Sequence, residues 1–170
     1  MTTGNARLWF EVALLPSGWA RSVRVRVRDG RIAEVEHSVT ASDDDERHHA
    51  IALPGLANVH SHGFQRAMAG LTGQRGPEHD NFWTWREVMY HFVGRLAPDD
   101  VHAISALAFV EMLESGFTRV GEFHYVHHAA DGRPYEDIGE LAAQVVAAAE
   151  QTGIGLTLLP VFYAHASFGE

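Results

Sequence analysis

The sequence predicts an α/β chain, with a small antiparallel β-domain over residues 1–52 and the first three βα units of an incomplete barrel over residues 53–170. Three observations point that way. Short runs broken by turn residues, one alternating strictly between Arg and Val, occupy residues 7–37. From Ile51 the apolar pattern becomes continuous, as in strands buried on both faces. Strand-like and helix-like segments then alternate, which is the order of parallel βα units.

Within residues 7–37 (RLWFEVALLPSGWARSVRVRVRDGRIAEVEH), Pro16-Ser17-Gly18 and Asp29-Gly30 interrupt β-branched and aromatic runs. Asp-Gly between VRVRVR and RIAEVE is a hairpin signal, because both positions tolerate positive φ. The arginines from Arg21 to Arg31 alternate with valine and are expected on the wet face of a strand, not in a nucleic-acid patch. The run TASDDDERHHA carries four acids and is expected to be an exposed loop.

IALPGLANVH, from Ile51, reads as a buried strand with polar residues appearing abruptly at its carboxyl end. Aromatic and aliphatic residues at helical spacing predict a helix over Asn81 to Leu96, and Pro98 with Asp99-Asp100 opens another that Gly116 closes. FTRVGEF predicts a strand, the alanine-rich stretch from Tyr135 to Thr152 a helix ending at Gly153, and GLTLLPVFY a further buried strand. Residues 56–60, 118–123 and 156–162 are expected to be parallel neighbours. Three strands cannot close an eight-stranded barrel. The chain stops at Phe168-Gly169-Glu170, before any helix could cover the third strand, so truncation is expected.

Composition excludes several classes. With 46% hydrophobic and 21% charged residues the chain is not of disordered type. The 13 basic residues, all arginine, face 22 acids for a net charge of −9, which disfavours nucleic acid and anionic membranes. Cysteine is absent, so metal chemistry must use His, Asp or Glu. No secretory leader or membrane-length apolar run is visible, and the cytoplasm is the expected location.

The candidate chemistry gathers at strand ends. His60-Ser61-His62 places two imidazoles on one side of an extended backbone, where they could hold one ion. With 12 His in 170 residues about 0.8 such pair arises by chance, so the position at a strand's carboxyl end is what gives this one weight. Gln65 follows. Arg86, beside Trp83 and Trp85, is either a solvated helix position or a guanidinium fork walled by aromatics and suited to a carboxylate. Glu122, His124, Tyr125, His127 and His128 crowd the end of the next strand, the last two equally readable as loop residues. His48 and His49 beside the acidic run read as solvated, His37, His79, His91 and His102 as scattered, and His165 as ambiguous.

LPGLANVHSHGFQRAMAG (53–70) resembles the first barrel strand of the amidohydrolase superfamily, and FQRAMAG, FWTWREVMY (82–90) and GEFHYVHH (121–128) narrow the resemblance to the formimidoylglutamate deiminase family. That resemblance covers essentially the whole chain, although members are much longer. It implies a TIM-like barrel and one zinc ion, with His60 and His62 as metal ligands and Gln65, Arg86 and Tyr125 as substrate contacts. The remaining ligands, the middle-strand histidines and a last-strand aspartate, have no counterpart here, and the catalytic acid/base is expected beyond residue 170. The implied reaction, part of histidine degradation, converts N-formimidoyl-L-glutamate to N-formyl-L-glutamate and ammonia. The implied partner is a dianionic small molecule, with no nucleic acid or membrane and a homodimer at full length. The 170-residue chain by itself is expected to be inactive. Two other readings stay open: a fragment of a guanine- or cytosine-type deaminase, and a non-catalytic folding or interaction module.

Overall fold

The computed structural model describes residues 4–71 and 81–163, and the chain divides into two compact units, Met1–Pro54 and Gly55–Glu170.

In the first unit β1 (Ala6–Leu15), β2 (Gly18–Arg28), β3 (Arg31–Glu36) and β4 (Glu46–Ala52) form one sheet in the order β3-β2-β1-β4. β1, β2 and β3 pair antiparallel, as the sequence predicts. Asp29 and Gly30 both take positive φ, 50° and 73°, which is what a two-residue hairpin turn with the twist of its strands requires.

Two expectations for this unit are corrected. The acidic run is not simply an exposed loop, because Glu46 to Ala52 adds a strand parallel to β1. Nor are all the alternating arginines wet. Arg24 is buried, and its Nε and Nη2 donate to Asp45, the latter at 2.8 Å, while Nη2 also donates to the Thr40 carbonyl at 2.8 Å. Arg7 Nε donates to the same carboxylate at 3.1 Å, as does the Ser42 amide at 2.8 Å. Trp9 Nε1 holds the Val39 carbonyl at 2.9 Å, so the segment after β3 folds back over the sheet and supplies the countercharge. The hydrogen bond from Arg24, outweighing burial, holds the Asp45 carboxyl well below the usual carboxylate range.

The second unit is built on the parallel sheet β5 (Leu56–Ser61), β6 (Phe117–His124) and β7 (Gly155–Pro160), in that order. α1 (Phe82–Val93), α2 (Pro98–Glu114) and α3 (Glu140–Thr152) complete it, with a 3-10 turn over Gly63–Met68. The continuous stretch from Ile51 is thus split at Leu53-Pro54-Gly55 between β4 and β5. Proline cannot donate to a ladder. A Cβ at Gly55 would collide with Thr118, so the entry to β5 needs glycine. The expectation of burial on both faces also fails for β5: Leu56 and Val59 are 55% and 84% exposed, because the described residues cover the sheet on one face only.

Each helix has a local cause. Asn81 caps α1 by accepting from the Trp83 and Thr84 amides at 2.8 and 3.3 Å, while Thr84 Oγ1 accepts from the Asn81 amide at 3.0 Å. Pro98 starts α2, and Asp100 accepts from the Ala97 amide at 2.9 Å. α3 starts at Glu140, later than Tyr135, since Asp137 turns back to accept the Gly139 amide at 2.7 Å. It ends at Gly153 with φ 82°. The core joins Val120 of β6, Val101 and Phe109 of α2, and Leu141, Val145, Ala148 and Ala149 of α3. Arg66 clamps the 3-10 turn onto α2 through two 2.6 Å bonds to Glu111.

Candidate functional site

The site grows from an irregularity in β5. Asn58 is in register with Val120 and Ser61 with Glu122, so three steps along β5 match two along β6. The extra residue is a bulge, which bends a strand and re-aims its side chains. Asn58 Oδ1 accepts the His60 amide at 3.1 Å and shapes it. His60 and His62 thereby face one another, with ring centroids 5.0 Å apart at 84°. His62 Nδ1 lies 3.2 Å from the Phe123 carbonyl, which can only accept. The proton therefore sits on Nδ1, leaving the Nε2 lone pair for a metal.

Residues alternate along β6. Val120, Glu122 and His124 are buried on one face, and Phe123 turns to the other. Beside His62 and Phe123 opens a cavity of about 550 Å³, lined also by Gln65, Phe82, Trp85, Arg86, Met89, Tyr90, Tyr125 and Tyr163. Gln65 Nε2 donates to Tyr125 Oη at 2.8 Å. Burial raises the Tyr125 pKa against that bond, so the phenol stays a neutral donor.

Arg86 belongs to this wall, half-buried on α1. Its Nε and Nη2 donate to Tyr90 Oη at 3.0 and 2.8 Å, and its Cζ stands 5.6 Å from the Trp83 ring centroid and 5.0 Å from that of Tyr90. The aromatic walls are thus Trp83 and Tyr90, while Trp85 lines the cavity. Sequence reasoning passed over Tyr90, although the i,i+4 spacing to Arg86 on one helix was the available signal.

The structure separates the strand-end groups of β6. Glu122 is 2% exposed, and its Oε1 accepts the Gly63 amide at 2.6 Å. Burial raises its pKa, opposed by Ser61 and by that amide. His124 is buried, its ring 5.1 Å from that of His127. Burial first and His127 second lower the His124 pKa to about 4, so it is neutral at pH 7. His127 Nε2 meets the Val161 carbonyl at 2.8 Å, and His128 pairs through its backbone with Pro134.

The structure thus brings His62, Gln65, Arg86 and Tyr125 onto one cavity, with His60 beside His62 but outside the lining. Among the described residues no group of three or more His, Asp or Glu side chains is placed to hold a metal ion. The other histidines stay apart: His48 stacks on Phe10, His49 contacts Glu11 at 2.8 Å, and His102 contacts Gln151 at 2.6 Å. His79 and His165 lie outside the described residues.

Residues 9–49 match the family described as formimidoylglutamate deiminase HutF, N-terminal domain, and residues 51–166 match the amidohydrolase family. A formimidoylglutamate deiminase from Pseudomonas aeruginosa is 52% identical over 163 residues, covering 95% of this chain and 36% of that protein. An 8-oxoguanine deaminase from the same organism is 32% identical over 109 residues, covering 59% of this chain and 23% of that one. The crystal structure of an amidohydrolase from Brucella melitensis superposes with a TM-score of 0.89 at 50% identity, covering 96% of this chain and 36% of that chain. This chain therefore spans about a third, or less, of the length of these relatives.

Proposed function

The chain belongs to the amidohydrolase family, and on that premise we propose that it is the N-terminal part of a zinc-dependent formimidoylglutamate deiminase. The reaction would be hydrolysis of N-formimidoyl-L-glutamate to N-formyl-L-glutamate and ammonia. One observation carries this reading: the facing His60 and His62 rings stand beside a cavity that holds Gln65, Tyr125 and an arginine clasped by aromatics.

The donor set suits zinc. Two neutral imidazoles, one fixed through Nδ1 by a backbone carbonyl, are borderline-soft nitrogen ligands of the kind zinc takes. Later barrel strands would supply the other ligands. Bound there, zinc would supply the Lewis acidity that makes water a nucleophile near neutral pH.

The chain's own residues do the binding. Arg86 presents a planar fork to a carboxylate of the glutamyl moiety, which an acidic chain must attract by local donors. Trp83 and Tyr90 limit the guanidinium's motion. Tyr125, kept protonated by burial and tied to Gln65, offers a hydroxyl hydrogen bond to the polar end of the substrate. Phe82, Trp85 and Phe123 supply apolar surface beside them. A homodimer acting in the cytoplasm completes the reading. No helix among the described residues is long and apolar enough to cross a membrane.

The test is ammonia release from N-formimidoyl-L-glutamate by the full-length protein carrying this chain, with His62→Ala as control. The expected result is zinc-dependent turnover that falls at least about 10³-fold in the variant, and no turnover by the 170-residue chain alone. Turnover of 8-oxoguanine or guanine in place of this substrate would establish the ring-deaminase alternative. No turnover of either would favour a non-catalytic module.

A further inference from the structure

The bulge that aims His60 and His62 leaves its extra residue out of the ladder to β6, so the ladder alone does not fix its shape. Something must hold it. Glu122 stands across from Ser61 in register, buried, with its Oε1 on the amide of Gly63, the residue directly after His62. The carboxyl packs directly on this backbone: a Cβ on Gly63 would lie 3.4 Å from Oε1, at ordinary contact distance. Its 2.6 Å contact ties the turn to β6 on one side of the histidines. Asn58 ties it on the other through the His60 amide. Nothing in the substrate cavity requires this carboxylate, as Glu122 is not among its lining residues.

We propose that Glu122 is a positioning residue for the metal ligands: its side-chain oxygen, reaching from β6 to the Gly63 amide, fixes the backbone that aims His60 and His62 at one ion. This rests on the reading of those histidines as zinc ligands. What matters is an acceptor oxygen at the end of a two-methylene arm, not the charge. Glutamine keeps arm and oxygen. Aspartate keeps the charge but falls one methylene short.

The experiment is a competition titration of zinc against a chromophoric chelator, on the full-length protein and its Glu122→Gln and Glu122→Asp variants. The visible absorption of the cobalt(II)-substituted proteins is recorded alongside. Glu122→Gln is expected to bind zinc within about 3-fold of wild type with an unchanged cobalt spectrum, and Glu122→Asp to bind 10- to 100-fold more weakly with an altered one. Wild-type affinity in Glu122→Asp, or equal losses in both variants, would overturn the proposal. Should either variant fail to fold, Asn58→Ala, which releases the other end of the bulge, is expected to weaken zinc binding several-fold, and no change there would overturn it as well. A wild-type protein that takes up no zinc would overturn the zinc reading itself, and this inference with it.

Discussion

In the N-terminal unit the buried carboxylate of Asp45 receives Arg24, Arg7 and the Ser42 amide, so both its oxygens are engaged. In the second unit the buried carboxyl of Glu122 has one oxygen on Gly63, while its Oε2 and the Nε2 of buried His124 have no hydrogen-bond partner among the described residues. The contrast separates two uses of buried polarity. A saturated network closes a small sheet, and its removal leaves a buried charge unpaired. Buried polar groups left partly unpaired at the carboxyl ends of parallel strands are, in folds of this class, candidates for chemistry.

If that division holds, substitutions in the two units should move different observables. Arg86→Lys should have the largest effect. It keeps the charge and loses the fork, lowering kcat/KM for N-formimidoyl-L-glutamate by about 1.5–3 kcal/mol, roughly 10- to 150-fold. Zinc content and Tm should not change. Steady-state kinetics with metal analysis check this, and wild-type efficiency would return Arg86 to a merely structural role.

Asp45→Asn should do the reverse, lowering the Tm by about 5 °C or more while leaving kcat/KM near wild type. The sign with pH follows from the depressed Asp45 pKa. Its stabilisation is fully present above the unfolded value near 3.8 and is lost as pH falls below it. Calorimetry from pH 5 down to about pH 2 should therefore show wild type starting to lose its advantage over the variant below pH 3.8 and losing more with each further step.

His124 gives the smallest effect. Its pKa is lowered from 6.5 to about 4, so its contribution is complete above 6.5 and declines as pH falls toward 4. The groups facing it are His127 through the ring contact and the Val126 backbone. His124→Phe should flatten the loss of stability between pH 6.5 and 4. Chemical denaturation across that range checks it, and an unchanged slope would mean His124 is charged in the folded state.

The parts of this molecule readable from sequence are those set by local rules. The Asp29-Gly30 hairpin was visible because few residues accept positive φ. The parallel order of β5, β6 and β7 followed from apolar runs alternating with helices. β4 was hidden because its strand character comes from pairing with β1, some 38 residues away at the contact of Glu11 with His49. The same non-locality hid the burial of Arg24, whose partner Asp45 sits in a run that looks solvated. At the site, His60 and His62 stood out by spacing and strand-end position, whereas Gln65, Arg86 and Tyr125 were singled out through the resemblance to the deiminase family. Glu122 stands among the strand-end groups in the sequence, but its partner is a backbone amide, which leaves no trace in side-chain chemistry.

The most direct measurement is a crystal structure of the full-length protein with zinc and N-formyl-L-glutamate. The account predicts a zinc anomalous peak bonded to the Nε2 atoms of both His60 and His62, with a ligand carboxylate on the Arg86 fork between Trp83 and Tyr90. A metal held elsewhere, or a ligand seated away from Arg86 and Tyr125, would contradict it.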